Sequence, residues 1–153
     1  MEEKEYRTTY KEFNQLRCLF EKSILSRTTM CEYAHRFCLA DREGVACKNN
    51  DAHTQCNILI QNLRTNARFA LKQTSTDEPL PHAKEMKVQT GGLLGLNTIL
   101  HATKQPTNIE NIFGLIQEAV RKYGNLSALP YDEITRAIVK FESRKRRRTK
   151  SHS

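Results

Sequence analysis

Apolar residues that return every three or four positions constrain this chain more than any other feature of its sequence. The pattern is cleanest in residues 108–142. Ile109, Ile112, Phe113, Ile116, Val120 and Tyr123 share one helical stripe behind a capping Thr107 or Asn108. Gly124 is placed to end that helix, and Leu126 to make the apolar contact of a C-cap. Ser127 and Pro130 open a further helix that turns Ile134, Ala137, Ile138 and Phe141 inward. The spacing therefore predicts a helical hairpin over 108–142.

The same period runs through the rest of the chain. Residues 3–25 set Tyr6, Tyr10, Phe13, Arg17, Phe20 and Ile24 near one stripe, widened by Leu16 and Leu19. Thr28 or Thr29 caps an expected second helix over about 29–42, which stops near Gly44. Asn49, Asn50 and Asp51 offer caps for a third over about 51–73. Its stripe is Cys56, Leu59, Ile60, Leu63, Ala67, Ala70 and Leu71. Residues 74–81 read as a loop with two prolines. A fourth helical stretch over 82–102 starts near Pro81 and contains Gly91, Gly92 and Gly95. Each glycine costs a helix interior about 1 kcal/mol. They mark either a kink or a close approach of another backbone, and no strand precedes them to make a phosphate loop. With no repeat and no β-alternation detected, the expected fold is all-α. It is a single compact bundle of five or six helices over 1–142, with a cysteine-rich helical hairpin at 29–73.

The cysteines carry the strongest chemical signal. Of Cys18, Cys31, Cys38, Cys47 and Cys56, the last four fall within 26 residues, spaced C-x6-C-x8-C-x8-C. Disulfides are disfavoured, because the chain reads as cytoplasmic. On an intact helix, moreover, Cys31 and Cys38 lie roughly 10.5 Å apart, beyond bridging range. None of the spacings is the short C-x2–4-C of a zinc knuckle. An iron–sulfur cluster, of the 4Fe-4S kind that takes four thiolates, suits Cys31, Cys38, Cys47 and Cys56 better. A zinc alternative uses two i, i+3 pairs, His35 with Cys38 and His53 with Cys56, facing each other from antiparallel helices. The plain alternative is packing, since free cysteine behaves as a small hydrophobe. It suits Cys31, Cys38 and Cys56, and it is the reading given to Cys18. It suits Cys47 less well, because that residue precedes a polar Asn-Asn-Asp turn.

Charge is concentrated at one end. The chain has 25 Lys and Arg against 17 Asp and Glu, a formal net charge of +8. Six of the cations are Arg144, Lys145, Arg146, Arg147, Arg148 and Lys150, in a tail over 143–153 without an acid. The remainder holds 19 basic against 17 acidic residues and is close to neutral. Such an arm, expected to be disordered, can pair with nucleic-acid phosphates or with an acidic protein surface, or serve only as a solvated end. No apolar run approaches the roughly 18 residues of a membrane span. The polar start MEEKEYRTTYKEF has no secretory h-region, and the expected location is the cytoplasm. No paired acids or nucleophile–base signature points to catalysis. Arg64, Asn66 and Arg68 form a polar face that either binds an anion or is merely solvated. The sequence thus reads as a small metal-binding protein, either a redox- or metal-responsive regulator or an electron carrier. A metal-free helical adaptor that docks on a partner protein is the rival.

Overall fold

A computed structural model describes residues 2–72, 79–102 and 108–142. The chain runs α1 (Glu3–Phe13), α2 (Glu21–Leu25), β1 (Ala34–Leu39), β2 (Arg42–Cys47), α3 (Asn50–Ala67), α4 (His82–Met86), α5 (Gly92–His101), α6 (Ile112–Tyr123) and α7 (Tyr131–Lys140). A π-helical turn at Lys87–Gly91 joins α4 to α5 as one rod. Among the described residues the molecule is therefore mostly helical, with six helical rods and one small antiparallel hairpin. No helix among them is long and apolar enough to cross a membrane.

The hairpin corrects the all-α expectation, because it occupies the place of the helix expected over 29–42. Ala34 pairs with Cys47 and Leu39 with Arg42, leaving a two-residue loop, Ala40-Asp41. Both loop residues are left-handed (φ 50° and 64°), as a type I′ turn requires. Phe37 lies across from Gly44. A Cβ on Gly44 would sit 2.5 Å from the Phe37 ring and 2.9 Å from Tyr10, so only glycine fits there. Phe37 also meets Tyr10 and Phe13 at ring separations of 5.8 and 5.0 Å, which seats α1 on this face.

The helix expected over 3–25 is also broken, into α1 and α2. The backbone leaves the helix at Asn14, whose side-chain amide donates to the Val45 carbonyl (3.0 Å) and to the Tyr10 hydroxyl (2.9 Å). The chain then runs beside β2. Arg17 pairs antiparallel with Ala46, Cys18 N–H donates to Val45 O (3.0 Å), and Cys47 N–H donates to Leu16 O (2.8 Å).

The remaining elements follow their sequence signals in part: α3 ends at Ala67, short of the expected 73, and Ile109 pairs with Thr29 ahead of α6 instead of lying on it. Asn49 caps α3 through its side chain, which accepts from Ala52 N–H at 2.8 Å. Ala52, Leu59, Ile60, Leu63 and Ala67 form its buried stripe. Gly124, at φ 91°, ends α6 as expected. The expected cap Thr107 lies outside the described residues, and Asn111 stands at the start of α6 instead. Phe20, Ile24, Leu59, Leu63, Leu93, Ile116, Ile134 and Ile138 are essentially inaccessible and form one core.

The glycines of the α4–α5 rod let α7 approach closely. A Cβ on Gly91 would lie 2.9 Å from Ile138 Cα, and one on Gly95 2.7 Å from Ala137 Cβ. Lys87 Nζ donates to the carbonyls of Val139 (3.0 Å) and Phe141 (2.6 Å), satisfying the end of α7. Gly91→Ala is therefore expected to destabilise the protein by about 1–3 kcal/mol, overpacking outweighing the helix-propensity gain of about 1 kcal/mol. Gly114→Ala, whose Cβ would press only on the Asn111 side chain (3.0 Å from its amide nitrogen), should cost less than Gly91→Ala, which meets backbone. Urea unfolding of the two variants checks this, and a Gly91→Ala protein as stable as the parent would contradict the packing.

Candidate metal centre

Four cysteines from four separate segments face one cleft, and strand register explains why. In an antiparallel pair, residues opposite one another share a face. Ala34 and Cys47, Arg36 and Val45, and Cys38 and Glu43 thus lie on the inner side of the hairpin. Cys18, drawn opposite Val45 by the pairing of Arg17 with Ala46, joins that side. Cys56 comes from the second turn of α3, one turn after the buried Ala52.

Cys31 is held by a different clamp. The N–H of Met30 donates to Ile109 O (2.9 Å), and Ile112 N–H donates to Met30 O (2.8 Å). On the other side of the cysteine, Glu32 N–H donates to Asn111 Oδ1 (3.1 Å), and Asn111 Nδ2 donates to the Glu32 carboxylate (2.9 Å). Both neighbours of Cys31 are thus tied to the start of α6.

Cys18, Cys31, Cys47 and Cys56 line this cleft together, with Tyr33 and His53 beside them. The spaces between the lining side chains total about 340 Å3, open mouth included. Only about 20 Å3 admits a water-sized sphere, which is room for about one water. Phe113 stacks edge-on against Tyr33 at 5.4 Å. His53 Nε2 donates to the Arg17 carbonyl at 2.9 Å, which ties α3 to the strand-like segment before Cys18. The Cys47 thiol donates to Asn49 O at 3.3 Å, next to the N-terminus of α3.

Burial dominates the acidity of these thiols. Desolvation pushes the Cys18 thiol up to about 12 and raises Cys47 and Cys56 as well. For Cys18 and Cys56 the mutual repulsion of the clustered sulfurs adds to it; for Cys47 Cys31 adds to it. As free groups Cys18, Cys47 and Cys56 are therefore neutral thiols near pH 7.

The site residues expected from sequence are redistributed. Cys31, Cys47 and Cys56 come together, but Cys38 does not. It shares the inner parity of Ala34 and Cys47, yet sits four residues along the strand from Ala34, roughly 13 Å away, at the exposed tip. Cys18, read from sequence as packing, stands in the fourth position. The signal that could have found it is the polar break at Asn14-Gln15, which ends the helical reading before Cys18.

The zinc set is not assembled either. His35 and Cys38 lie on a strand, where an i, i+3 pair points to opposite faces, and both are exposed. Among the described residues, no group of three or more His, Cys, Asp or Glu side chains is close enough to hold a single metal ion. The basic residues 144–150 lie outside the described residues. Comparisons of the chain with protein-family models, with curated proteins and with solved structures returned no match.

Thiol labelling tests this arrangement. Brief alkylation of the native, metal-stripped protein, followed by peptide mass mapping, should modify Cys38 at least about tenfold faster than Cys18 or Cys56, whose burial suppresses the thiolate. Equal rates at Cys18 and Cys38 would contradict it.

Proposed function

We propose that the protein is an iron–sulfur protein whose cluster is held by Cys18, Cys31, Cys47 and Cys56. The observation that carries this reading is the convergence of four thiols, from four separate segments, on one cleft. Four thiolates are the usual ligand set of such a cluster. A single tetrahedral ion at about 2.3 Å from each sulfur needs them about 3.8 Å apart, closer than these side chains stand as a group. A cluster takes its ligands from a wider ring.

A bound cluster would supply one-electron chemistry or a redox- or metal-sensitive signal. The chain supplies the rest. The N-terminus of α3, beside Cys47 and two turns from Cys56, favours the negative charge of a thiolate-ligated centre. Leu19, Tyr33 and Ile112 screen it from water. The water-sized void means that loading must move the half-buried Leu19 and Tyr33 outward and replace the bond from Cys47 to Asn49. Binding is then coupled to the order of residues 16–56, since every ligand pins a different segment. The protein acts on this reading as a redox- or metal-responsive regulator or an electron carrier in the cytoplasm. The basic residues 144–150 would engage nucleic acid or an acidic protein surface.

One observation favours the rival, a metal-free helical adaptor. Cys18, Cys31 and Cys56 pack against the hydrophobic core as small apolar groups do. Packing accounts less well for Cys47, which lies at the polar start of α3.

Anaerobic purification, a visible spectrum and assays of iron and acid-labile sulfide decide between them. The expected result is iron with sulfide and a broad visible band. Ser at position 18, 31, 47 or 56 should abolish the band, and Cys38→Ser should leave it intact. A band lost with Cys38→Ser and kept with Cys18→Ser would replace this ligand set by Cys31, Cys38, Cys47 and Cys56. Zinc without colour, or no metal at all, would overturn the cluster.

A further inference from the structure

Three asparagines stand at helix starts among the described residues, and two of them cap as asparagine commonly does. Asn49 accepts from Ala52 N–H (2.8 Å) at α3, and Asn125 accepts from Ser127 N–H (2.8 Å) at the short helical turn Leu126–Ala128. Asn111 does not. Its backbone is extended, as an N-cap requires, yet its side chain makes no cap to α6. Both ends of its amide go to Glu32. Oδ1 accepts from Glu32 N–H (3.1 Å), and Nδ2 donates to the Glu32 carboxylate (2.9 Å). Departures from a local preference concentrate at functional sites.

This departure secures Cys31. Cys47 lies on a strand, Cys56 on a helix, and Cys18 beside β2. Cys31 lies between α2 and β1, in a segment laced to the lead of α6. Ile109 N–H donates to Thr28 O (3.1 Å), Met30 N–H to Ile109 O (2.9 Å) and Ile112 N–H to Met30 O (2.8 Å). The Asn111 amide closes this lacing on the far side of Cys31. Asn111 also has a second place to go. Its Nδ2 would stand 3.0 Å from a Cβ on Gly114, so the amide lies over the first turn of α6. Rotating the side chain would carry Oδ1 to the N–H of Phe113 or Gly114, the ordinary N-cap bonds, and would break both bonds to Glu32.

We propose that Asn111 is a positioning residue with two alternatives: paired with Glu32 it seats Cys31 in the thiol cleft, and turned onto α6 it lets Cys31 leave. The seating belongs to the metal-free protein. That its loss would detach one ligand of a bound centre, and so make that centre labile, rests on the cluster reading.

Alkylation of the native, metal-stripped, full-length protein, with peptide mass mapping, reads the seating directly. Asn111→Asp keeps a good cap but sets a second carboxylate against that of Glu32. It should raise the labelling rate of Cys31 about tenfold, the equivalent of one hydrogen bond to a charged group, and leave Cys18 and Cys56 unchanged. The melting temperature should not fall, because α6 gains both a cap and an anion at its N-terminus. Adding Glu32→Gln rebuilds the pair with donor and acceptor exchanged, and should return Cys31 to the parental rate. An unchanged Cys31, an equal rise at Cys18 and Cys56, a lower melting temperature, or no rescue by Glu32→Gln would overturn the proposal. All of these rates are measured without metal, so a protein that binds no cluster would leave it standing.

Discussion

The arrangement around the thiol cleft depends on one buried carboxylate, Glu21. Its side chain is 8% exposed and accepts hydrogen bonds from Val45 N–H, from the Tyr10 hydroxyl and from Arg17. Burial first, and the carboxylate next, raise the Tyr10 phenol above its ordinary pKa, so it remains a donor to Glu21. Asn14 closes the network by donating to Tyr10 and to the Val45 carbonyl. Each buried donor left unpaired would cost about 1–3 kcal/mol. The network therefore fixes α1, α2 and β2 relative to one another, and it fixes the path of residues 14–20 between them. That path places Cys18 opposite Val45.

A second buried network ties this N-terminal unit to the helical half. Ser23 Oγ accepts from Thr29 Oγ1 (2.9 Å) and from Thr90 Oγ1 (2.7 Å) while its N–H donates to Gln89. No buried side-chain nitrogen or oxygen among the described residues lacks a partner. Full satisfaction matters here because a partly bonded network in a low-dielectric core is worse than an apolar one. The π turn is what lets residues 87–91 turn Gln89 and Thr90 toward α2 while Gly91 stays against α7. The polar contact and the close helix packing are thus two faces of the same turn.

The C-terminal half was legible in the sequence because its buried faces follow the helical period, although α7 packs on the α4–α5 rod and α3, and α6 on α5 and α3, rather than chiefly on each other. Ile112, Ile116, Ile134 and Ile138 are buried where the 3.6-residue period puts them. The glycines at 91 and 95 mark close contacts rather than breaks. The N-terminal half was not legible in this way. Ala34-His35-Arg36-Phe37-Cys38-Leu39 lacks an alternating apolar pattern, since its inner face holds Ala34 and Arg36 and its tip is exposed. Without a Gly or Asn, the Ala40-Asp41 loop gives little local sign of its left-handed turn. The break at Asn14 arises from hydrogen bonds to Tyr10 and Val45, the second 31 residues away. A local period does not report such contacts. The same limitation explains Cys38 and Cys18. On a helix, Cys31 and Cys38 would share a face; on the hairpin, Cys38 is carried to the tip, and Cys18 arrives by a pairing that only the folded chain creates.

The four inward thiols come from positions that local helix or hairpin formation alone would not bring together. Cys18 needs the Glu21 network, Cys31 needs the clamp to Asn111, Cys47 needs the hairpin register, and Cys56 needs the α3 cap. The sulfurs make few polar contacts: Cys47 donates to Asn49 O, and Cys18 is hydrogen-bonded to the Phe20 backbone. Four thiols on one cleft are what the proposed thiolate-ligated centre would require, and three of them also pack against the core. The buried, neutral state of Cys18, Cys47 and Cys56 fits the same reading. A metal, on the proposed reading, would stabilise the thiolates that desolvation disfavours, and the thiol protons would leave on loading.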